Sequence, residues 1–147
     1  TVDGFIQKGM DEGAKLLLGG VSEKNQKGFY AKPTLFDNLD ENMTIAQEEI
    51  FGPVLGILTF SDEEEALKIA SNSKYGLCAS VFTQDINKAF YFAKNLPCGT
   101  VSVNTFSEGD IKTPFGGYKQ SGSLSRDQGT EALNQYLQTK TIWISHS

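Results

Sequence analysis

VLGILTFSDEEEALKIASNSKYGLCASVFTQDINKAFYFAKNLPCGTVSVN, residues 54–104, decides the fold class. Val54–Phe60 is a short apolar run, the mark of a strand covered on both faces. Ser61 and Asp62 then offer a helix N-cap. Glu63, Glu64 and Glu65 fill the first turn, where the helix dipole favours negative charge. Ala66, Leu67, Ile69 and Ala70 supply an apolar stripe. Asn72–Gly76 break the helix, and Leu77–Thr83 read as a second strand. Asp85–Leu96 read as a second helix, with Ile86, Ala89, Phe90 and Ala93 on one face. Pro97 and Gly99 punctuate, and Thr100–Asn104 form a third strand. Strand, helix, strand, helix, strand through short connections implies parallel pairing by right-handed crossovers. The expected fold is α/β: an open, mostly parallel sheet with flanking helices.

The flanks extend this pattern. Val2–Leu17 carries Val2, Ile6, Met10 and Leu17 at roughly helical spacing, with Asp3 as N-cap. Ala14–Leu18 can instead form a short strand ended by Gly19 and Gly20. Phe29–Leu35 reads as extended, and Pro33 restricts it to an edge or irregular strand. After a loop from Thr105 to Ser123, a last helix is expected near Asp127–Leu137. Thr139–Ile144 (TKTIWI) alternates as a strand does. No later helix returns it to the sheet, so it is expected to pair outside the chain.

Size and charge remove several functions. The chain has 147 residues, about one domain by length. Its 39% hydrophobic and 21% charged residues are ordinary for a globular protein. The net charge of -5 is spread among interspersed acids and bases. Nucleic acid is therefore not an expected partner, since no basic stripe exists to meet phosphate. A membrane is not expected either: no apolar run reaches a bilayer span, and the N-terminus lacks signal-peptide order. Without an initiating Met, Thr1 fits a chain cut from something longer. Cys78 and Cys98 make no disulfide framework, which points to a cytoplasmic, reducing compartment. The single histidine, His146, is C-terminal, so no metal cluster and no Ser-His-Asp or Cys-His arrangement is expected.

Two segments carry chemistry. In Glu48–Val54 (EEIFGPV), Glu49 can accept hydrogen bonds from a ribose diol while Phe51 offers a flat apolar wall. Gly52 and Pro53 would fix the turn. The plainer reading has Glu48 and Glu49 as solvated acids and Phe51 as core. In Pro114–Gly122 (PFGGYKQSG), Gly116, Gly117 and Lys119 invite a phosphate site. The spacing of a P-loop is absent, however, as is G-x-G-x-x-G. Gly116 and Gly117 read instead as turn glycines that allow close backbone approach.

Together these segments resemble the NAD(P)-dependent aldehyde dehydrogenases. EEIFGPV is similar to the family segment whose Glu contacts the nicotinamide ribose. PFGGYKQSG with Ser125-Arg126-Asp127 resembles its PFGG-x-K-x-SG-x-G-R-[DE] stretch, except that Ser125 stands for Gly and Leu124 is added. Tyr75-Gly76-Leu77, Val81-Phe82-Thr83, Gly99-Thr100-Val101, Val103-Asn104 and TKTIWI also match, so the likeness covers nearly the whole chain.

The resemblance implies a division into 1–137, the C-terminal portion of the catalytic domain, and 138–147, an oligomerisation strand. It implies Glu49 and Phe51 at the cofactor, and Phe106, Glu108 and Phe115 along the substrate tunnel. A core role for Phe115 stays open. The parent would oxidise an aldehyde to the acid with NAD or NADP, a choice made at the adenosine ribose. The family mechanism needs a thiolate nucleophile and a Glu-activated water. Cys78, in an expected buried strand, and Cys98 match neither the nucleophile segment nor its setting. No catalytic residue is therefore assigned in this chain, no metal is expected, and the isolated chain is expected to be inactive with no cofactor bound. The loop Thr105–Thr113 and the GYKQSG spelling of Gly117–Gly122 look most like the subgroup acting on amino-aldehydes such as γ-glutamyl-γ-aminobutyraldehyde. Glu108 and Asp110 could attract a cationic tail, or simply be solvated, and Lys112 offsets one charge. The resemblance also implies a homo-oligomer through Thr139–Ile144. The alternative to an enzyme piece is a non-catalytic, folded association module.

Overall fold

The computed structural model describes residues 1–23, 27–106, 109–122 and 124–146. Its contacts divide into two compact units, Thr1–Ser73 and Lys74–Ser147. Each is α/β.

In the first unit, α1 (Val2–Asp11) is followed by β1 (Lys15–Leu18), β2 (Thr34–Asp37), α2 (Thr44–Gln47), β3 (Val54–Gly56) and α3 (Glu63–Ser71). The sheet order is β1-β2-β3, with β1 antiparallel and β3 parallel to β2. The core is Ile6, Ala14, Phe36 and Ile45, lined by Val2, Phe5, Met10, Leu39, Met43, Ile50 and Val54. Gly9 lets α1 approach Ile45, since a Cβ there would strike the Ile45 side chain.

Several expectations need correction here. The helix stops at Asp11, and the alternative strand at its end is the one that forms. Asp3 is not the cap; its Oδ1 accepts from Ser22 N–H (3.0 Å) and Oγ (2.9 Å), tying α1 to the following loop. The extended segment becomes β2 only after Pro33, and it is the central strand rather than an edge. Proline stands just ahead of the ladder, where its missing N–H costs nothing. β3 spans only Val54–Gly56, and Leu55 and Phe60 are exposed rather than covered. The α3 cap forms as expected. Asp62 Oδ1 accepts from Glu65 N–H (2.9 Å), and Glu65 Oε2 accepts from Ser61 N–H (2.7 Å) and Oγ (2.6 Å). The stripe above it is shallower than expected, because no α3 residue is fully buried.

In the second unit, β4 (Cys78–Val81) and β5 (Thr100–Val103) pair in parallel across α4 (Ile86–Asn95), as the crossover pattern requires. Asp85 caps α4, accepting from Asn87 N–H at 2.8 Å. Of the expected face, only Ala89 is buried; Ile86, Phe90 and Ala93 are exposed, and Leu96 is the second buried position. The helix carries apolar residues on two sides, and the Ala89/Leu96 side is the covered one. The expected last helix is a 3-10 helix, Thr130–Tyr136. Residues 138–146 are exposed and pair with no strand among the described residues. No described helix is long and apolar enough to cross a membrane.

Candidate functional site

The Glu48–Val54 segment is pinned from inside. Ile50 and Val54 pack on the first unit's core. A Cβ on Gly52 would strike the Val2 side chain, so glycine lets the turn pack closely against α1. Pro53 O accepts from Thr34 N–H (2.8 Å), and Val54 N–H donates to Gly52 O (2.8 Å). With Ile50 and Val54 turned inward, Glu49 and Phe51 face solvent. Phe51 is 91% exposed, which overturns its reading as a core residue.

Phe51 also has φ 51°, in the left-handed region. A bulky residue there is an outlier, costing on the order of 1–3 kcal/mol that the surroundings must hold in place. Phe51 therefore adopts an unfavourable backbone conformation without burying its ring. Composition could not reveal this, because nothing in the residue type signals a positive φ.

The Pro114–Gly122 segment wraps the heads of β4 and β5. Tyr118 N–H donates to Gly76 O (2.8 Å), Gln120 N–H to Lys74 O (3.0 Å), and Gly76 N–H to Ser121 Oγ (3.0 Å). Side chains are excluded where these backbones meet. A Cβ on Gly99 would collide with Gly116 O, and one on Gly117 with Ser121 O. The glycines serve backbone-to-backbone packing, as the sequence reading expects. Phe115 is half-buried and exchanges two backbone hydrogen bonds with Asp127, both 2.7 Å. Arg126 lies over the Tyr118 ring, 5.5 Å from its centroid. Phe106 is 84% exposed, whereas Glu108 lies outside the described residues. Asp110 Oδ1 accepts from Lys112 N–H (2.8 Å), so its carboxylate already serves the turn. In this way each unit carries part of the residue set expected for the cofactor and the tunnel: Glu49 and Phe51 in the first, Phe106 and Phe115 in the second.

The cysteines depart from expectation in setting. Cys78 is exposed rather than buried, because β4 is one of only two strands in its sheet and no described residue covers that position. Cys98 is half-buried, and its Sγ–H donates to Thr100 O at 3.4 Å. Burial pushes the Cys98 thiol pKa up, and nearby Cys78 pushes it further. The Thr100 contact and nearby Lys119 oppose that shift. The Lys119 proximity was invisible in sequence, where the two residues are far apart. A thiol whose pKa is raised by burial is less suited to nucleophilic attack. Among the described residues no group of three or more His, Cys, Asp or Glu could hold a metal.

Comparison with known proteins agrees with the motifs. The aldehyde dehydrogenase family profile matches residues 1–142. Mitochondrial aldehyde dehydrogenase of Sus scrofa is 48% identical over 141 residues, 96% of this chain and 27% of that protein. The α-ketoglutaric semialdehyde dehydrogenase of Bacillus subtilis is 45% identical over 144 residues, 95% of this chain and 30% of that protein. Among solved structures, the AldA indole-3-acetaldehyde dehydrogenase of P. syringae, a complex with NAD+ and IAA, superposes with TM-score 0.90 and 44% identity. That match covers 99% of this chain and 29% of the other. KauB, an aldehyde dehydrogenase of Pseudomonas aeruginosa, gives TM-score 0.89 and 45% identity over 97% of this chain and 29% of its own. The chain thus spans between a quarter and a third of the length of these relatives. The matched family profile, the motif spacing and the shared fold agree: the chain belongs to the aldehyde dehydrogenase family.

Proposed function

We propose that these residues form the nicotinamide-side and tunnel-side walls of an enzyme that oxidises an aldehyde to its carboxylic acid with NAD. The observation that carries the reading is Phe51, strained at φ 51° yet 91% exposed, beside an exposed Glu49. The pair suits the group it would hold. A carboxylate accepts both hydroxyls of a ribose diol, and an aromatic face covers a flat, partly charged ring. The bound cofactor would supply hydride acceptance. The chain's own work is to orient and to exclude water: Glu49 fixes the ribose, Phe51 walls one face, and Phe106 and Phe115 line the aldehyde approach. Nucleophile and general base are assigned to other parts of the enzyme, in keeping with a Cys98 thiol whose pKa is raised by burial.

The test is Glu49→Gln in the enzyme that carries this sequence. KM for NAD should rise about tenfold, the equivalent of ~1.4 kcal/mol from a lost charged hydrogen bond. KM for aldehyde should stay put. An unchanged KM for NAD refutes the assignment.

An amino-aldehyde substrate, of the γ-glutamyl-γ-aminobutyraldehyde kind, belongs to this proposal through Glu108 and the loop around it. Comparing kcat/KM for an aminoaldehyde and an alkanal of equal length, before and after Glu108→Gln, decides it. A preference for the cationic substrate that survives the change removes Glu108 from the account. Cytoplasmic location is part of the same reading, in keeping with two free thiols.

A second reading rests on a separate observation. Trp143 is 90% exposed between exposed Ile142 and Ile144, on a segment without ladder partners among the described residues. A strand of this kind adds to a sheet edge on another molecule. Thr139–Ile144 is therefore proposed to pair between two copies of the chain. Sedimentation of the chain and of a form ending at Gln138 should separate a dimer or larger species from a monomer. Identical masses would refute it.

A further inference from the structure

Phe51 holds φ 51° with its ring 91% exposed, so packing of the ring does not keep the backbone in that conformation. A strained residue persists only where the surrounding structure over-determines it. The holding contacts must therefore act on its neighbours. On one side is Ile50, packed on the first unit's core. On the other is Gly52, followed by Pro53, whose ring fixes its own φ and whose O accepts from Thr34 N–H at 2.8 Å. Gly52 itself meets the first residue of α1. An added Cβ would lie 2.6 Å from Val2 Cγ2, 3.0 Å from Cγ1 and 3.4 Å from Cβ. Gly52 does not have a positive φ, so its missing side chain serves this close approach and not a left-handed turn. Val2 is half-buried and packs against the same core as Ile50 and Val54. The backbone next to Phe51 is thus backed by α1 through one side chain.

We infer that Val2 is a positioning residue for the cofactor wall: its Cγ methyls seat Gly52, and Gly52 in turn fixes the directions in which Phe51 and Glu49 project. The inference rests on the cofactor reading above and adds to it the element that sets the wall's place. Val2 acts only through Gly52. Loss of its methyls leaves the strained backbone free to relax, whereas a Cβ on Gly52 pushes the turn away from α1. The two changes compensate when combined. Val2→Ala removes the Cγ methyls, and the Gly52→Ala carbon enters the vacated space, where the remaining Cβ lies 3.4 Å away, an ordinary contact.

The experiment is a double-mutant cycle in the enzyme that carries this sequence, read as KM for NAD, KM for propanal and melting temperature. Val2→Ala and Gly52→Ala should each raise KM for NAD roughly fivefold, and the double variant should return to within about twofold of wild type, as coupled neighbours do. KM for propanal should not move. A merely structural role would lower the melting temperature without separating the two KM values. If Gly52→Ala does not fold, the comparison of Val2→Ala with the double variant decides, since the added methyl must then lower KM for NAD. Glu49→Gln is measured alongside. Where it raises KM for NAD but Val2→Ala does not, or the double variant is no better than Val2→Ala, the positioning role is overturned and the cofactor reading stands. Where Glu49→Gln also leaves KM for NAD unchanged, the cofactor reading falls and takes the inference with it.

Discussion

Glu12 receives two hydrogen bonds from one residue: Thr44 N–H donates to its Oε2 at 2.7 Å, and Thr44 Oγ1–H to its Oε1 at 2.6 Å. Thr44 begins α2, so a carboxylate just past the end of α1 supplies the cap that the sequence before α2 does not. It satisfies an otherwise unpaired first-turn donor and places negative charge at that helix's N-terminus.

This bond gives a pH dependence of fixed sign. The Thr44 hydroxyl and N–H hold the Glu12 pKa below its ordinary carboxylate value. A group depressed on folding stabilises fully above its unfolded pKa and loses that contribution as pH falls through the folded value. Urea midpoints measured from neutral pH down through the carboxylate range should therefore fall less steeply in Glu12→Gln than in the wild type. Parallel pH profiles would show that the Glu12 cap carries no stability in solution.

Two glycines should respond oppositely to alanine. Gly99 has no room for a Cβ against Gly116 O, so Gly99→Ala should cost about 3 kcal/mol, toward the upper end of overpacking effects. Gly4 lies in α1, where the nearest atom to an added Cβ is Thr1 Oγ1 at 3.8 Å. Gly4→Ala should stabilise by roughly 0.5–1 kcal/mol through reduced freedom of the unfolded chain. Thermal melts of the two variants check both signs.

Phe51→Gly should separate stability from function. Glycine accepts φ 51° without steric penalty, and the exposed ring contributes no burial. The variant should melt at the same temperature or be up to about 1 kcal/mol more stable. In the whole enzyme it should raise KM for NAD. A destabilised variant would mean the ring packs on something in solution.

The isolated 147-residue chain should not turn over propanal with NAD, and calorimetry should show no saturation by NAD up to millimolar. Burial raises the Cys98 thiol pKa, and neither Cys98 nor exposed Cys78 matches the family's nucleophile segment. Turnover that persists after full-length enzyme is excluded would reverse the assignment of the nucleophile to another part of the enzyme.

What was legible in sequence was local. The Asp62–Glu65 cap, the Asp85 cap, the Gly19–Gly20 strand end and the α4 crossover depend on neighbours within a few residues. What was missed depends on distant partners. The central place of β2 follows from pairing with both β1 and β3, which no spacing within residues 29–37 encodes. In α4, both apolar sides fit a helical repeat, and periodicity cannot say that Ala89 and Leu96 rather than Ile86 and Phe90 are covered. At the site, Glu49 and Phe51 were found through their motif. The strain at Phe51 and the Lys119–Cys98 proximity arise only when the chain is folded.

The fit of Gly99 beneath Gly116, with Gly76 bonded to Tyr118 and Ser121, leaves no slack where Gly76, Gly99 and Gly116–Ser121 meet. Length changes during divergence therefore have a restricted outlet, past Gly122 and before the Phe115–Asp127 bridge closes. Leu124, the added residue, lies there with its side chain wholly in solvent, and the bridge is intact. Insertions should be tolerated at that vent, while the Gly116–Ser121 stretch packed on Gly76 and Gly99 keeps a constant count of residues.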